Sequence, residues 1–186
     1  MSVLVKGTVE ALTAKGYSRL PDSKPTELLD GELVEITPLG AAHGEIAAEL
    51  ASRLRVWAKG GTHGKVGLRS GFVLRRDPHR VRGPDIWFVS RDRVPRSGVP
   101  QGFWEIAPDL AVEAIALGDT VETVKERLED YFEAGTRMVW LVYPRFKQVE
   151  AHLPDGTMRT FKETDILEAP HLLPGFSCRV ADLFEG

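Results

Sequence analysis

Two hydrophobic spacings run through the chain, one of period two and one near 3.6. Gly31–Thr37 (GELVEIT) alternates and predicts a strand with Glu32, Val34 and Ile36 on one face, ended by Pro38 and Gly40. Ala41–Lys59 predicts a helix, because Ile46, Leu50, Leu54 and Trp57 fall in one stripe about 80° wide. His43 lies inside that stripe and points toward whatever the helix packs on, and Gly60-Gly61 supplies the stop. Lys65–Arg75 and Pro84–Val89 read as successive strands joined by an Asp77-Pro78 turn. Ile86, Trp87, Phe88 and Val89 are apolar on both faces, which suits a central strand covered on both sides. Leu110–Leu117 is a second such run, interrupted by Glu113.

A second helix is predicted over Thr120–Ala134, opened by Asp119 with Glu122 and closed by Gly135. Its apolar stripe is Val121, Val124, Leu128, Tyr131 and Phe132. Met138–Val142 follows as a buried strand, then a hairpin turning at Pro154-Asp155-Gly156. The order of strand, helix, strands, helix, strand and hairpin predicts an α/β (α+β) fold with a mixed sheet. The polar first thirty residues, with Pro21 and Pro25, read as a loose lead-in, so the boundaries are 1–27 for the lead-in and 28–186 for one domain.

Composition narrows the class. The chain has 186 residues, 42% apolar and 27% charged, which is ordinary for a globular protein and excludes disordered or fibrous classes. One cysteine, Cys178, rules out an intrachain disulfide and a cysteine zinc cage. No apolar run approaches the roughly 18 residues of a membrane helix, and the N-terminal MSVLVKG lacks a secretory stretch, so a cytoplasmic protein is expected. The net charge of −3 argues against wholesale nucleic-acid binding. Arg75, Arg76, Arg80, Arg82, Arg91, Arg93 and Arg96 nevertheless form a local basic stripe, either an electrostatic footprint for phosphate or a solvated loop of scattered charges.

Four residues need a physical account. Asp85 opens an apolar strand and Glu113 sits within another, and an ionised carboxylate there is costly unless paired or bound to metal. Asp85 and Glu113 on neighbouring strands suit one Mg²⁺ held through oxygen ligands. Lys125 falls on the margin of the second helix's stripe, where it either steadies charge beside a metal or snorkels to water. His43 is either a ligand or a hydrogen-bonded core histidine. Pro-Asp occurs four times, so the Pro84-Asp85 dipeptide carries no information alone. No P-loop, G-x-G-x-x-G or G-x-S-x-G motif is present.

The segments from Leu29-Asp30-Gly31-Glu32 through Thr37-Pro38, His43, Gly83-Pro84-Asp85-Ile86 and Pro108-Asp109-Leu110-Ala111-Val112-Glu113 resemble a known family. Lys125 six residues before Tyr131, then Gly135, Trp140-Leu141-Val142 and Leu173-Pro174-Gly175-Phe176 complete the resemblance. Together they are similar to the restriction endonuclease family within the PD-(D/E)xK nuclease superfamily, over about Leu28 to Phe184. The resemblance implies a restriction-endonuclease-like core, a mixed β-sheet flanked by helices with an added C-terminal hairpin, and a Mg²⁺-dependent site, with Mn²⁺ as a substitute. It implies Asp85 and Glu113 as catalytic metal ligands, the Ala114 carbonyl as a further ligand, and Lys125 and His43 as catalytic groups. The departures are Ile115 where the D/E-x-K form has lysine, Ala116 where serine is common, and Tyr143-Pro144 where aspartate precedes proline.

The expected activity is hydrolysis of DNA phosphodiester bonds. Lys125 stabilises the added charge, while Arg75, Arg76, Arg80 and Arg82, with the rest of the arginine stripe, hold the phosphate backbone. A duplex has two strands to cut, so a homodimer is expected. The alternatives are a nuclease-fold module that binds nucleic acid or a protein without cutting, and an acidic metal-binding domain without a polymer substrate.

Overall fold

The computed structural model describes residues 11–21, 25–36, 40–59 and 63–185. A short helix α1 (Ala14–Tyr17) precedes a hairpin of β1 (Thr26–Leu29) and β2 (Glu32–Glu35), and then α2 (Ala41–Ala58). Strands β3 (Gly64–Leu68), β4 (Phe72–Arg76), β5 (His79–Arg82), β6 (Ile86–Ser90) and β7 (Leu110–Ala114) lead to α3 (Val121–Glu133). The chain closes with β8 (Met138–Tyr143), β9 (Gln148–His152), β10 (Met158–Phe161), β11 (Ile166–Ala169) and β12 (Leu173–Arg179).

The centre is a six-stranded mixed sheet in the order β10-β9-β8-β7-β6-β3. Only β7 and β8 pair in parallel, and α3 is the crossover between them. Side-chain alternation assigns the two faces. Ile86, Phe88, Leu110, Val112, Trp140 and Val142 point to α2, where they meet Ile46, Leu50 and Leu54. Ala111, Val139 and Leu141 point to the opposite face, against Tyr131 of α3 and Leu74 of β4. Trp87 and Val89 also face that way and pack on Phe72 and Trp104. At Gly67 of β3 a Cβ would sit 2.3 Å from the Trp87 ring, so only glycine lets these strands approach.

A second sheet, β2-β1-β5-β4, is wholly antiparallel and lies on the α3 side. It overturns the loose lead-in: Leu28 and Ala14 are buried, and β1 pairs with both β2 and β5. The β1–β2 turn is Asp30-Gly31, both at positive φ, the two-residue geometry that matches strand twist. Strand β2 forms where expected but is exposed throughout, and Thr37 and Pro38 lie outside the described residues.

The predicted strand Lys65–Arg75 is two strands in different sheets, broken near Arg69 at positive φ. Asp77-Pro78, a cis peptide, turns β4 into β5 rather than into β6. Helix α3 starts at Thr120, whose hydroxyl and that of Thr123 form a reciprocal capping box, instead of at Asp119 with Glu122. The Pro154–Gly156 turn forms as expected between β9 and β10, and β11–β12 adds a further two-stranded sheet. The Gly60-Gly61 stop lies outside the described residues.

Candidate active site

Strands β6 and β7 run side by side and antiparallel, pairing Ile86 with Val112. That register sets Asp85, just before β6, beside the end of β7. The Asp85 Oδ2 accepts a hydrogen bond of 3.0 Å from the Ala114 amide. Glu113 alternates with Val112 and therefore faces α3, where the Tyr131 hydroxyl donates to its Oε1 at 2.6 Å. Both carboxylates are buried residues that line one cavity of about 380 Å³, together with Glu27, Arg69, Arg82, Ala114, Asp119 and Arg127.

The electrostatics record this convergence. Burial pushes the Glu113 carboxyl up to about 8, with the neighbouring Asp85 charge adding to the rise and Arg127 opposing it. Burial raises Asp85 as well, against the Ala114 hydrogen bond and the charge of Arg69. Burial and the charge of Glu113 raise the Tyr131 phenol well above its usual value, so it remains a donor.

Cations come from three elements. Arg69, 45% exposed at the cavity mouth, has Nη2 3.6 Å from Asp85 Oδ1. Arg127 on α3 is held by Asp119, whose Oδ1 lies 3.0 Å from its Nη2. Burial alone would lower the Arg127 guanidinium, but Glu113 and Asp119 carry it upward. Arg82 is clamped by Glu27 at 2.9 Å and by Asp130, which accepts from its Nε at 2.7 Å. The other Glu27 oxygen accepts from the Gly83 amide at 3.0 Å, fixing the Gly83-Pro84-Asp85 approach to β6.

The structure thus brings Asp85, Glu113 and Ala114 together and leaves out Lys125. That lysine is exposed and lines a separate, largely apolar hollow with Val121, Val124, Leu128 and His152. The wheel misplaces it because Val121, taken as part of the buried stripe, is 73% exposed. Measured from buried Tyr131, Lys125 lies about 120° round the helix and Arg127 about 40°. Four-residue spacing to the buried tyrosine was the signal for Arg127. His43 lies on the α2 face, and its Nε2 is 3.0 Å from the carbonyl of Ile115, just past the end of β7. It does not line the cavity, but it is near enough to act electrostatically on Asp85.

The arginine stripe is also redistributed. Arg80 and Arg82 are buried, bonded to Asp130, Glu126, Asp30 and Glu27. Arg75 pairs with Asp30, Arg76 with Glu105 and Arg93 with Asp109. Arg75, Arg76, Arg80 and Arg82 are therefore already occupied by carboxylates within the chain. Glu27, placed by the sequence reading in the lead-in, is a wall of the site.

The arrangement has relatives. A crystal structure of "a putative nuclease belonging to DUF820" from Anabaena variabilis ATCC 29413 matches with a TM-score of 0.81 and 20% identity, over 93% of this chain and 97% of that one. At that identity the likeness is one of fold. No curated protein matches the sequence. Residues 14–181 match the family model Uma2, described as "Putative restriction endonuclease". Because that match reaches from α1 to the turn after β12 and takes in every wall of the cavity, the chain belongs to the Uma2 family.

Proposed function

We propose that the chain is a metal-dependent endonuclease that hydrolyses DNA phosphodiester bonds in the cavity between β6, β7 and α3. The observation that carries the reading is the meeting of Asp85 and Glu113 in one cavity, with Glu113 pushed up to about 8 by burial and by its neighbour's charge. Two carboxylates forced together are a site in need of positive charge.

The donor set fits a hard divalent cation. Asp85 Oδ1 faces only the long Arg69 contact, and Glu113 Oε2 makes no hydrogen bond among the described residues. Among the described residues no group of three or more His, Cys, Asp or Glu stands ready to hold a metal. Two carboxylates, a backbone carbonyl at Ala114 and substrate phosphate match Mg²⁺, which keeps several waters and takes one or two protein carboxylates. Mn²⁺ accepts the same donors. Such an ion would polarise a phosphate oxygen and lower the pKa of its bound water.

The chain's own groups do the rest. Arg69 stands at the mouth, where its guanidinium can take a phosphate oxygen in bidentate fashion. Arg127, fixed by Asp119 and always charged, stabilises the negative charge that grows as the water attacks. Tyr131 fixes Glu113 through Oε1, and Oε2 would be the oxygen left to hold the ion. Glu27 and Arg82 hold the Asp85 approach in place.

The test is incubation of supercoiled plasmid with the protein and Mg²⁺ or Mn²⁺. Nicked and linear products are expected, and none with EDTA or with Asp85→Ala. An intact plasmid that is nonetheless retained by the protein would support a binding module instead.

A further inference from the structure

We propose that a basic cleft at the far end of edge strand β3 is a second docking site for the DNA duplex, holding its phosphate backbone while a bond is cut at Asp85 and Glu113. Arg55 and Lys59 from the last turns of α2, Lys65 of β3, and Arg91 and Arg96 from the loop after β6 line a cleft of about 770 Å³. No carboxylate is among its described lining residues. All five side chains are exposed. Arg55, Lys59, Lys65 and Arg96 have no ion-pair partner among the described residues, unlike Arg75, Arg76, Arg80, Arg82 and Arg93.

This is a built surface. Arg55 and Lys59 are four apart on α2 and share a face. The loop that carries Arg91 and Arg96 is tied down between them: Arg93 reaches Asp109 at 2.9 Å and the Ala107 carbonyl at 2.9 Å. The Arg91 amide donates to the His63 carbonyl at 3.0 Å, fixing that loop beside the start of β3. In a chain of net charge −3, five cations meeting from three elements make a local field, not a general one.

The choice of a nucleic acid over an acidic protein follows from where β3 leads, and it rests on the nuclease reading. Lys65 pairs with Val89 and Leu68 with Ile86, next to Asp85, and the Arg69 amide donates to the Pro84 carbonyl at 3.1 Å. From Gly64 to Arg69 the strand covers about 17 Å at roughly 3.4 Å per residue. A DNA strand rises about 3.4 Å per nucleotide, so the cleft meets phosphates about five nucleotides from the one at the cavity.

The test measures binding of a fluorescent 20-base-pair duplex by anisotropy in EDTA, so that it does not depend on cutting. It compares Lys59→Ala/Lys65→Ala/Arg96→Ala with Arg145→Ala/Arg159→Ala/Lys162→Ala, which has the same change in charge toward the β10 edge of the central sheet, away from β3. The cleft variant is expected to bind at least about tenfold more weakly near 0.1 M salt, and its plot of log affinity against log salt to flatten by roughly two to three. The control variant keeps most of its affinity, and both keep the parent Tm. Equal losses in the two variants, no loss in the cleft variant, or a parent that binds no duplex but binds acidic peptide overturns the proposal. A parent that binds through the cleft but cuts no plasmid overturns the nuclease reading and leaves the cleft standing.

Discussion

Arg80 and Arg82 on β5 have side chains 7% and 4% exposed, and each is clamped by carboxylates. Arg55, Lys59, Lys65 and Arg96 stand in solvent and meet none among the described residues. Residue type does not separate the two sets. What separates them is the delivery of anions by other elements: Asp130 from α3, Glu27 from β1 and Asp30 from the β1–β2 turn all converge on β5. A buried guanidinium is tolerable only when paired in this way. The exposed set needs no partner to fold.

The largest expected effect comes from removing Asp130, which serves both Arg80 and Arg82. Its loss leaves Arg80 to Asp30 and Glu126 and Arg82 to Glu27, so the cost approaches but does not exceed the roughly 3–5 kcal/mol of a buried charge left without its partner. For a chain of this length that is a Tm fall of roughly 6–20 °C. Thermal melting followed by circular dichroism should show it for Asp130→Ala, while Lys59→Ala stays within about 0.5 kcal/mol. Comparable small shifts for both would erase the distinction between the two sets.

Arg127 tests the cavity side of the comparison by activity. Arg127→Ala should lower plasmid nicking by about 10²–10³ at saturating DNA, the usual loss of one preorganised donor. Duplex affinity should change little, because the cleft is intact. Arg127→Lys should recover part of the rate. A variant that instead loses affinity and keeps its rate would move Arg127 into the docking surface.

pH separates the regions further. Without metal, folded Glu113 has its pKa at about 8 against 4.5 for the ordinary side chain. Between those values the folded chain holds a proton that the unfolded chain has released. Stability therefore falls as pH rises from about 4.5 to about 8, by a few kcal/mol at roughly 1.4 per pH unit. In EDTA, Glu113→Gln should flatten the plot of Tm against pH and be the more stable protein at pH 8. The charged groups among the cleft's described lining residues are lysine and arginine, so duplex affinity should not follow the same curve. Parallel pH dependence in both variants would show that Glu113 is not the titrating group.

The legible parts of this molecule are those where burial alone decides. Strands β6, β7 and β8, covered on both faces, left continuous apolar runs, and α2 left a stripe at Ile46, Leu50 and Leu54. Asp85 and Glu113 could be picked out because a carboxylate in such a run is conspicuous. Of the β2-β1-β5-β4 sheet, β2 and β4 were legible as strands, but β1 and β5 were not, because His79–Arg82 is buried by ion pairs rather than by apolar surface and Thr26–Leu29 lies in a polar stretch. The Asp30-Gly31 hairpin signal was present and GELVEIT marked the strand after it, but TELL before it carries no alternation, so the hairpin's first strand went unread. The basic cleft joins residues 55 to 96 from separate elements, a meeting that no sequence window contains.

Arg76 supplies the smallest effect and the sharpest division, because it is exposed like the cleft residues and paired like the buried ones. Its side chain is 59% exposed, and its Nη2 lies 2.5 Å from Glu105 Oε2. Exposed pairs contribute about 0–1 kcal/mol, so Arg76→Ala should shift Tm by no more than a few degrees. If a free charge is what marks a docking residue, Arg76→Ala should leave duplex affinity within about twofold, while Arg96→Ala lowers it several-fold at the same salt. Equal losses would mean that exposure alone selects the contacts. Equal indifference would mean that one cation is too few to register, and the triple cleft variant then gives the answer. A loss confined to Arg96→Ala ties DNA binding to whether an arginine's charge is already matched within the fold.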